Sequence, residues 1–427
     1  MKFRAAIAAL AVTALTALAG CGDGGGTPVA EDTGPIELRM TIWSANEAHL
    51  KLFNDIAAEY KTAHPNVSVR FDPLPFDSYT TTLTTQIAGG NGPDLAWVLE
   101  DSAPDFVGSG ALVPLDDTLK KTDGYNAEDI APAATKLWQT GGKLYAYPFS
   151  TSPFGMFVNT DLLKQAGQDN PADLVAAGTW TWEKAFAEGA AVNAKTGTAG
   201  IVVRDFDYKT WSNLSTVWTG WGAQAWSADG KTCGFNAPEM VDAMTALHKA
   251  VFTDKAMPGP GVAADFFTGQ SAMTVTQISR ASLLKDAKFG WDLVPLPSGP
   301  KGKYSVVGQA GLGVLKKSKH AQAATDFLAF FTAPANSAKL AQYFPPARKS
   351  QLNADTLAKT NPLLKPTQLQ SVVIDGISSG VVKPSHTGSA EIAQNVRASL
   401  DPLWKPDANV KSVLDTVCTG LKPLLSK

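Results

Sequence analysis

Reactive and metal-binding residues are scarce in this sequence. Its 427 residues include three cysteines and five histidines. The histidines are scattered, with no His-Glu-x-x-His helix and no Cys-His metal spacing. No metal and no cofactor are therefore expected. An excess of one charge is missing too: 37 Lys and Arg oppose 39 Asp and Glu, a formal net charge of −2. Such a balance leaves no basic footprint for nucleic acid or for an anionic membrane surface. Past the N-terminus, no apolar run reaches the ~20 residues that span a bilayer.

What is present begins at the N-terminus. Lys2 and Arg4 precede an unbroken apolar or small run from Ala5 to Leu18, the n- and h-regions of a secretory signal. Leu18-Ala19-Gly20-Cys21 then matches the bacterial lipobox, which predicts cleavage after residue 20 and a lipid on the Cys21 thiol. Two or three acyl chains hold a protein on a membrane firmly, whereas one does not. Residues 21–35 are rich in Gly, Asp and Thr without apolar periodicity and read as a flexible tether. Gly22 and Gly24 to Gly26 make no phosphate loop, because no strand precedes them and no Lys-Ser/Thr follows. An extracytoplasmic, lipid-anchored protein on the outer face of a bacterial membrane is expected. Export permits a disulfide, and Cys233 with Cys418 is the one pairing left. Cys418 also lies on the apolar stripe Leu414, Val417, Leu421, so a buried free thiol competes with the bridge.

The body alternates strands and helices. Ile36, Leu38, Met40 and Ile42 have strand spacing, and Leu50, Phe53, Ala57 and Tyr60 have helical spacing, stopped by His64-Pro65. Val67, Val69 and Phe71 give a second strand. A helix through Tyr79, Leu83 and Ile87 leads to a third strand at Leu95 to Val98. Ser102 to Asp105 has the form of a capping box, as does Asn236 to Glu239. This order predicts an α/β fold with a parallel, doubly wound sheet. His248, on the apolar stripe of Val241, Met244 and Val251, reads as a core histidine. The chain is long enough for two lobes.

The order of these signals resembles the extracellular solute-binding proteins of ABC importers, in particular their carbohydrate-binding cluster. The resemblance is carried by Ile42-Trp43 and His64-Pro65-Asn66-Val67-Ser68-Val69, then by Ala88 to Leu95 and Gly110 to Asp117. It continues through Leu144 to Phe149, Val158 to Leu163, Thr179 to Glu183 and Phe267 to Met273, and ends at Val294 to Pro297 and Gly311 to Val314. It implies a two-lobed, hinged periplasmic-binding-protein-like fold, each lobe a mainly parallel sheet flanked by helices. The chain would cross the hinge near Pro148, Met273 and Phe344. Residues 36–148 and 275–342 would form the N-terminal lobe, and 149–274 with 343–427 the C-terminal lobe. A monomer that closes on a sugar or oligosaccharide and delivers it to permease subunits in the membrane is the implied function.

The same resemblance points to site residues. Acidic residues after the first-strand tryptophan and after the Gly-Pro-Asp strand match Glu47, Glu100 and Asp101; each also reads as a solvated or capping carboxylate. Trp43 ends a strand at the cleft. Tyr208 and Trp211 match an aromatic element of the second lobe, and Trp221, between two glycines, is a second aromatic there; at least half of the tryptophans in this stretch should be core. Gly308 and Gln309 match a Gly-rich approach to the ligand. Where the family often carries Asn-Gly-Pro-Trp, this chain has Thr276-Gln277-Ile278-Ser279-Arg280, losing a stacking ring and gaining an amide and a guanidinium. Arg280 pairs well with phosphate or carboxylate, which raises glycerophosphodiesters and other anionic or amino-bearing solutes as alternative ligands; a surface position for Arg280 is the plainer reading. A glycosidase using Glu47, Glu100 and Asp101 is the enzymatic alternative, with no spacing in the sequence to support it.

Overall fold

In the computed structural model, residues 34–204 and 210–426 are described. The expected signal peptide, Cys21, nearly all of the tether and Tyr208 lie outside them. The first element, β1 (Ile36–Ile42), pairs in parallel with β2 (Val67–Pro73) and β3 (Leu95–Leu99). Helix α1 (Glu47–Ala63) joins β1 to β2; Asn46 starts it by accepting from the N–H groups of Ala48 and His49 at 2.9 and 3.2 Å. Its buried face is Phe53, Ile56, Ala57 and Tyr60, three of the four positions read from helical spacing.

Later strands depart from a parallel plan. The 14-residue β4 (Ala146–Asn159) is buried throughout, and β5 (Ala199–Val203), β6 (Ser271–Gln277), β7 (Trp291–Val294) and β8 (Val306–Val314) follow. Strand order is β2-β1-β3-β8-β4-β6-β5, with β7 also on β4. Both ends of this order are parallel, whereas β8 against β3 and β4, and β6 and β7 against β4, are antiparallel. The architecture is thus α/β with a mixed sheet.

Two large cores lie along it. The first gathers Ile36 to Phe149 with Ala310 to Ala347; the second gathers Phe154 to Val306 with Ile392 to Leu425. A smaller third core around Phe157, Leu293, Leu369 and Val372 lies beside the second. Strand β4 passes between the large cores, pairing with β8 up to Pro153 and with β6 from Phe154. Two boundaries read from the sequence shift accordingly. Val275, Val294 and Val306 pack in the second core, because β6 and β7 both pair with the far half of β4. Return to the first core comes only within β8, between Val306 and Ala310. Phe344 and Ala347 still pack in the first core, so the last crossing follows Ala347 rather than preceding Phe344.

Glycine is required where β8 meets the first core: a Cβ on Gly311 would lie 2.7 Å from the Trp138 ring. In the second core, Cys233 and Cys418 are disulfide-bonded, tying a short hairpin to the helix Val410–Leu425. His248 is half-buried and its Nε2 lies 2.9 Å from the Lys405 carbonyl oxygen. No helix among the described residues is long and apolar enough to cross a membrane.

Candidate functional site

The two large cores face each other across a seam, and the sequence-derived candidates divide between its walls. On the first wall, Trp43 is half-buried where β1 ends. Its ring meets Trp97 at 4.5 Å and Tyr79 at 5.2 Å, both edge-on. It therefore lines the wall as part of an aromatic nest. Glu47 is exposed in the first turn of α1, a favourable place for a carboxylate at a helix N-terminus.

Glu100 and Asp101 sit on the turn that follows β3. Glu100 is 4% exposed and engaged by Lys383, whose Nζ lies 2.6 Å from its Oε1. Asp101 is half-buried, and its carboxyl is pushed up to about 6. Burial is the main cause, and the neighbouring Glu100 charge adds to it, while Lys383 and the N–H groups of Ser102 and Asp101 oppose it. Asp101 shares a void of about 20 Å³ with Trp211, Trp226, His386 and Ser389, enough for one water.

On the second wall, Trp211 is 6% exposed and packs against Trp218, Trp226 and Phe235. One side of it belongs to the core and another to the void. Trp221 packs against the second core on the turn Thr219–Trp221 and does not line the void. Gln277, at the end of β6, accepts from the Arg204 guanidinium, which lies 5.3 Å from the centre of the Phe76 ring of the first wall. Gly308 makes room for that amide: a Cβ there would sit 3.2 Å from Gln277 Nε2. Gln309 pairs with Thr151 in the ladder, and its buried Oε1 has no hydrogen-bond partner among the described residues. A buried orphan acceptor costs about 1–3 kcal/mol. Arg280 lies elsewhere, 4.7 Å over Phe267, a ring packed against the third core.

Lys383 was not singled out from sequence, and the cap readings at Ser102, Asp105 and Asn236 come out differently. Lys383 reaches Asn213 Oδ1 at 3.2 Å as well as Glu100. Asp105, read as the end of a local capping box, instead accepts from Gly388 and Ser389 on the opposite wall. Ser102 donates to the Leu99 carbonyl and caps nothing. Asn236 likewise makes no cap; its side chain donates to Asp415, and the helix there begins at Pro238. The one available signal was Gly388-Ser389 ahead of a helical run, a start pattern that does not reveal its acceptor.

Two other features carry no chemistry at the seam. Gly376 to Gly380 spells Gly-x-Ser-x-Gly, but it lies at the end of the helix Asp375–Ser379, where Ser378 donates to the Ile374 carbonyl at 2.7 Å. A nucleophile elbow needs a strand-to-helix turn. A wide cavity of about 650 Å³ opens on the second body among Val251, Met257, Val262 and Gln270, and shares no residue with the seam.

Comparison with known proteins agrees with this architecture. An uncharacterised lipoprotein of Streptomyces antibioticus is 27% identical over 346 residues, 78% of this chain and 73% of that one. An ABC substrate-binding protein from Listeria monocytogenes, solved in complex with cycloalternan, superposes with a TM-score of 0.79 at 24% identity, over 91% of this chain and 98% of its own. UgpB from Mycobacterium tuberculosis, in complex with glycerophosphocholine, gives 0.77 at 20% identity, over 92% and 99%. These neighbours share the two-lobed fold of substrate-binding proteins. Residues 45–338 match the sequence profile of the bacterial extracellular solute-binding proteins, and the chain belongs to that family.

Proposed function

We propose that this chain is the solute-capturing lipoprotein of an ABC importer, taking a sugar or oligosaccharide into the seam between its two cores. The observation that carries the reading is that the Asp101 carboxyl from one wall meets Trp211 and Trp226 from the other, around a void that takes one water as the walls now stand and widens only if they part. Sugar rings present hydroxyls at their edges and C–H groups on their faces, and a polar group beside aromatic planes suits both. Gln309 Oε1, buried and without a hydrogen-bond partner among the described residues, is a further candidate acceptor. The cores serve as the lobes, and β4 and β8, which cross between them, as hinge strands; capture by hinge closure is a known two-state device. Glu100 and Asp101 are neighbours on one turn and do not flank a bond from opposite sides as glycosidase carboxylates do, so the reading is binding without turnover.

A second ligand class has its own support. The Arg204 guanidinium beside Gln277 and Phe76 is suited to a phosphodiester, and a structural neighbour was solved with glycerophosphocholine. Mass spectrometry of co-purifying solute, with thermal-shift titration of maltotetraose and glycerophosphocholine, separates the two. A ligand at 100 times its Kd stabilises by about 2.7 kcal/mol. A shift with the phosphodiester and none with oligosaccharides would reject the sugar reading.

Anchoring through Cys21 is part of the proposal, supported by Leu18-Ala19-Gly20-Cys21 and by the relative named as a lipoprotein. A tethered receptor meets its permease repeatedly, the logic of effective concentration. Cys21→Ala should release the protein from membranes with solute affinity unchanged; lost affinity would contradict a separate anchor and binding body.

A further inference from the structure

Among the described residues, Asp105 and Lys383 each reach across from one body to the other beside the void. On the first body, the helix Ala103–Gly108 carries Asp105. On the second, a strap from Lys383 to Ser389 leads into the helix Ser389–Leu400. Asp105 accepts from the Gly388 N–H at 2.7 Å, the Ser389 N–H at 3.1 Å and the Ser389 hydroxyl at 2.8 Å. Lys383 completes the set with Glu100, and both side chains are nearly inaccessible, 6% and 5%.

Asp105 thus caps a helix that belongs to the opposite body. The first N–H groups of a helix have no partner within it, and a carboxylate there also meets the positive end of the helix dipole. Gly388, the residue at that cap, has no side chain to do the work itself and adopts φ 77°. The strap is in turn fixed to its own body. His386 places Nε2 3.1 Å from the Gly230 carbonyl oxygen, and its ring meets Trp226 edge-on at 5.3 Å. Trp226 bridges to Cys233, whose disulfide reaches the C-terminal helix. When the bodies separate, these contacts have to break together, because the strap does not follow the first body. Neither Asp105 nor Lys383 lines the void.

We infer that Asp105 and Lys383 are latch residues that hold the two bodies shut and set the closed-to-open ratio, without lining the void between them. The inference rests on the solute-capture reading for what the closed form is used for, but not for whether the latch exists. The void left in this latched form takes about one water, so a solute enters when the bodies part, and the latch sets how often they do. Loss of one charge-assisted helix cap should shift the closed-to-open ratio roughly tenfold.

The test needs no solute. Small-angle scattering and amide exchange of the intact chain would be compared for wild type, Asp105→Asn and the double variant Asp105→Ala/Lys383→Met. The expected result is a larger radius of gyration for the double variant at unchanged far-ultraviolet circular dichroism, with faster exchange at the Gly388 and Ser389 amides. Asp105→Asn, which keeps one acceptor oxygen and the side-chain volume, should fall between. Equal radii for wild type and a folded Asp105→Asn or double variant would overturn the inference, as would unprotected Gly388 and Ser389 amides in wild type. Failure of the solute reading would appear instead as absence of any bound solute with the latch intact.

Discussion

The two walls of the seam are assembled in different ways. The first takes its polar groups from one short stretch, with Glu100, Asp101 and Asp105 following β3 on consecutive turns, and backs them with a packed nest of Trp43, Trp97, Phe149 and Phe344. The second is gathered from segments far apart in the chain, at Trp211, Trp226, Gln277 and Lys383 to Ser389, and has a disulfide behind it. The first wall contributes carboxylates and the second contributes an ammonium, N–H groups and a hydroxyl. A locally encoded wall leans on packing for its rigidity, whereas a wall built from distant segments needs cross-links between them.

The sharpest way to break this contrast is Trp97→Ala. Trp97 is fully buried and stacks on Phe149 at 4.5 Å, and its loss should cost about 3–5 kcal/mol in chemical denaturation. Removing the bridge with Cys233→Ser/Cys418→Ser should cost about 2–5 kcal/mol. It should also quicken amide exchange around Trp226 and Gly230 while leaving the first core unaffected. Equal loosening of both cores would show that the walls do not differ in kind.

A smaller effect is read by pH. Glu188, fully buried in the second core, is raised from 4.5 to about 7 by burial, with Asp169 adding and Lys184 opposing. A carboxyl raised in the folded state contributes its full stability below the unfolded value and loses it as pH climbs through the folded one. The melting midpoint should therefore fall between pH 4.5 and 7, and Glu188→Gln should flatten most of that slope. Asp101→Asn should flatten a lesser part, at lower pH, since Asp101 rises from 3.8 to about 6. The smallest change in stability belongs to Glu47→Gln, where the side chain is exposed. The melting midpoint should stay put, while calorimetry should show weaker solute binding if the resemblance carries this residue's role correctly.

The candidate site was legible in part. Of the residues named from motifs, Asp101 and Trp211 line one void, Trp43 packs on Trp97 in the first core, and Gln277 meets Gly308. Arg280 was named because it follows β6 in sequence, yet the guanidinium beside Gln277 belongs to Arg204. Position along a strand end did not tell which of two arginines turns toward the amide. Glu100 was read as a ligand contact, but Lys383 already occupies it. Their pairing depends on how the last third of the chain returns to the first.

The sequence by itself determined whatever depends on neighbours a few residues away. Helix α1 begins beside Asn46 and stops at His64-Pro65, and β1 to β3 alternate with helices, because caps, breakers and periodicity act within a turn or two. It also narrowed the disulfide to one candidate pair. Tertiary structure alone decided that the pair forms, that the sheet turns antiparallel at its middle, and that β6 and β7 stay with the second core. It also decided that Asp105 caps a helix on the opposite wall. Each of these is a choice among partners distant in sequence. A carboxylate, a strand edge or a thiol advertises what it can bind, and only the folded path of the chain determines which partner arrives.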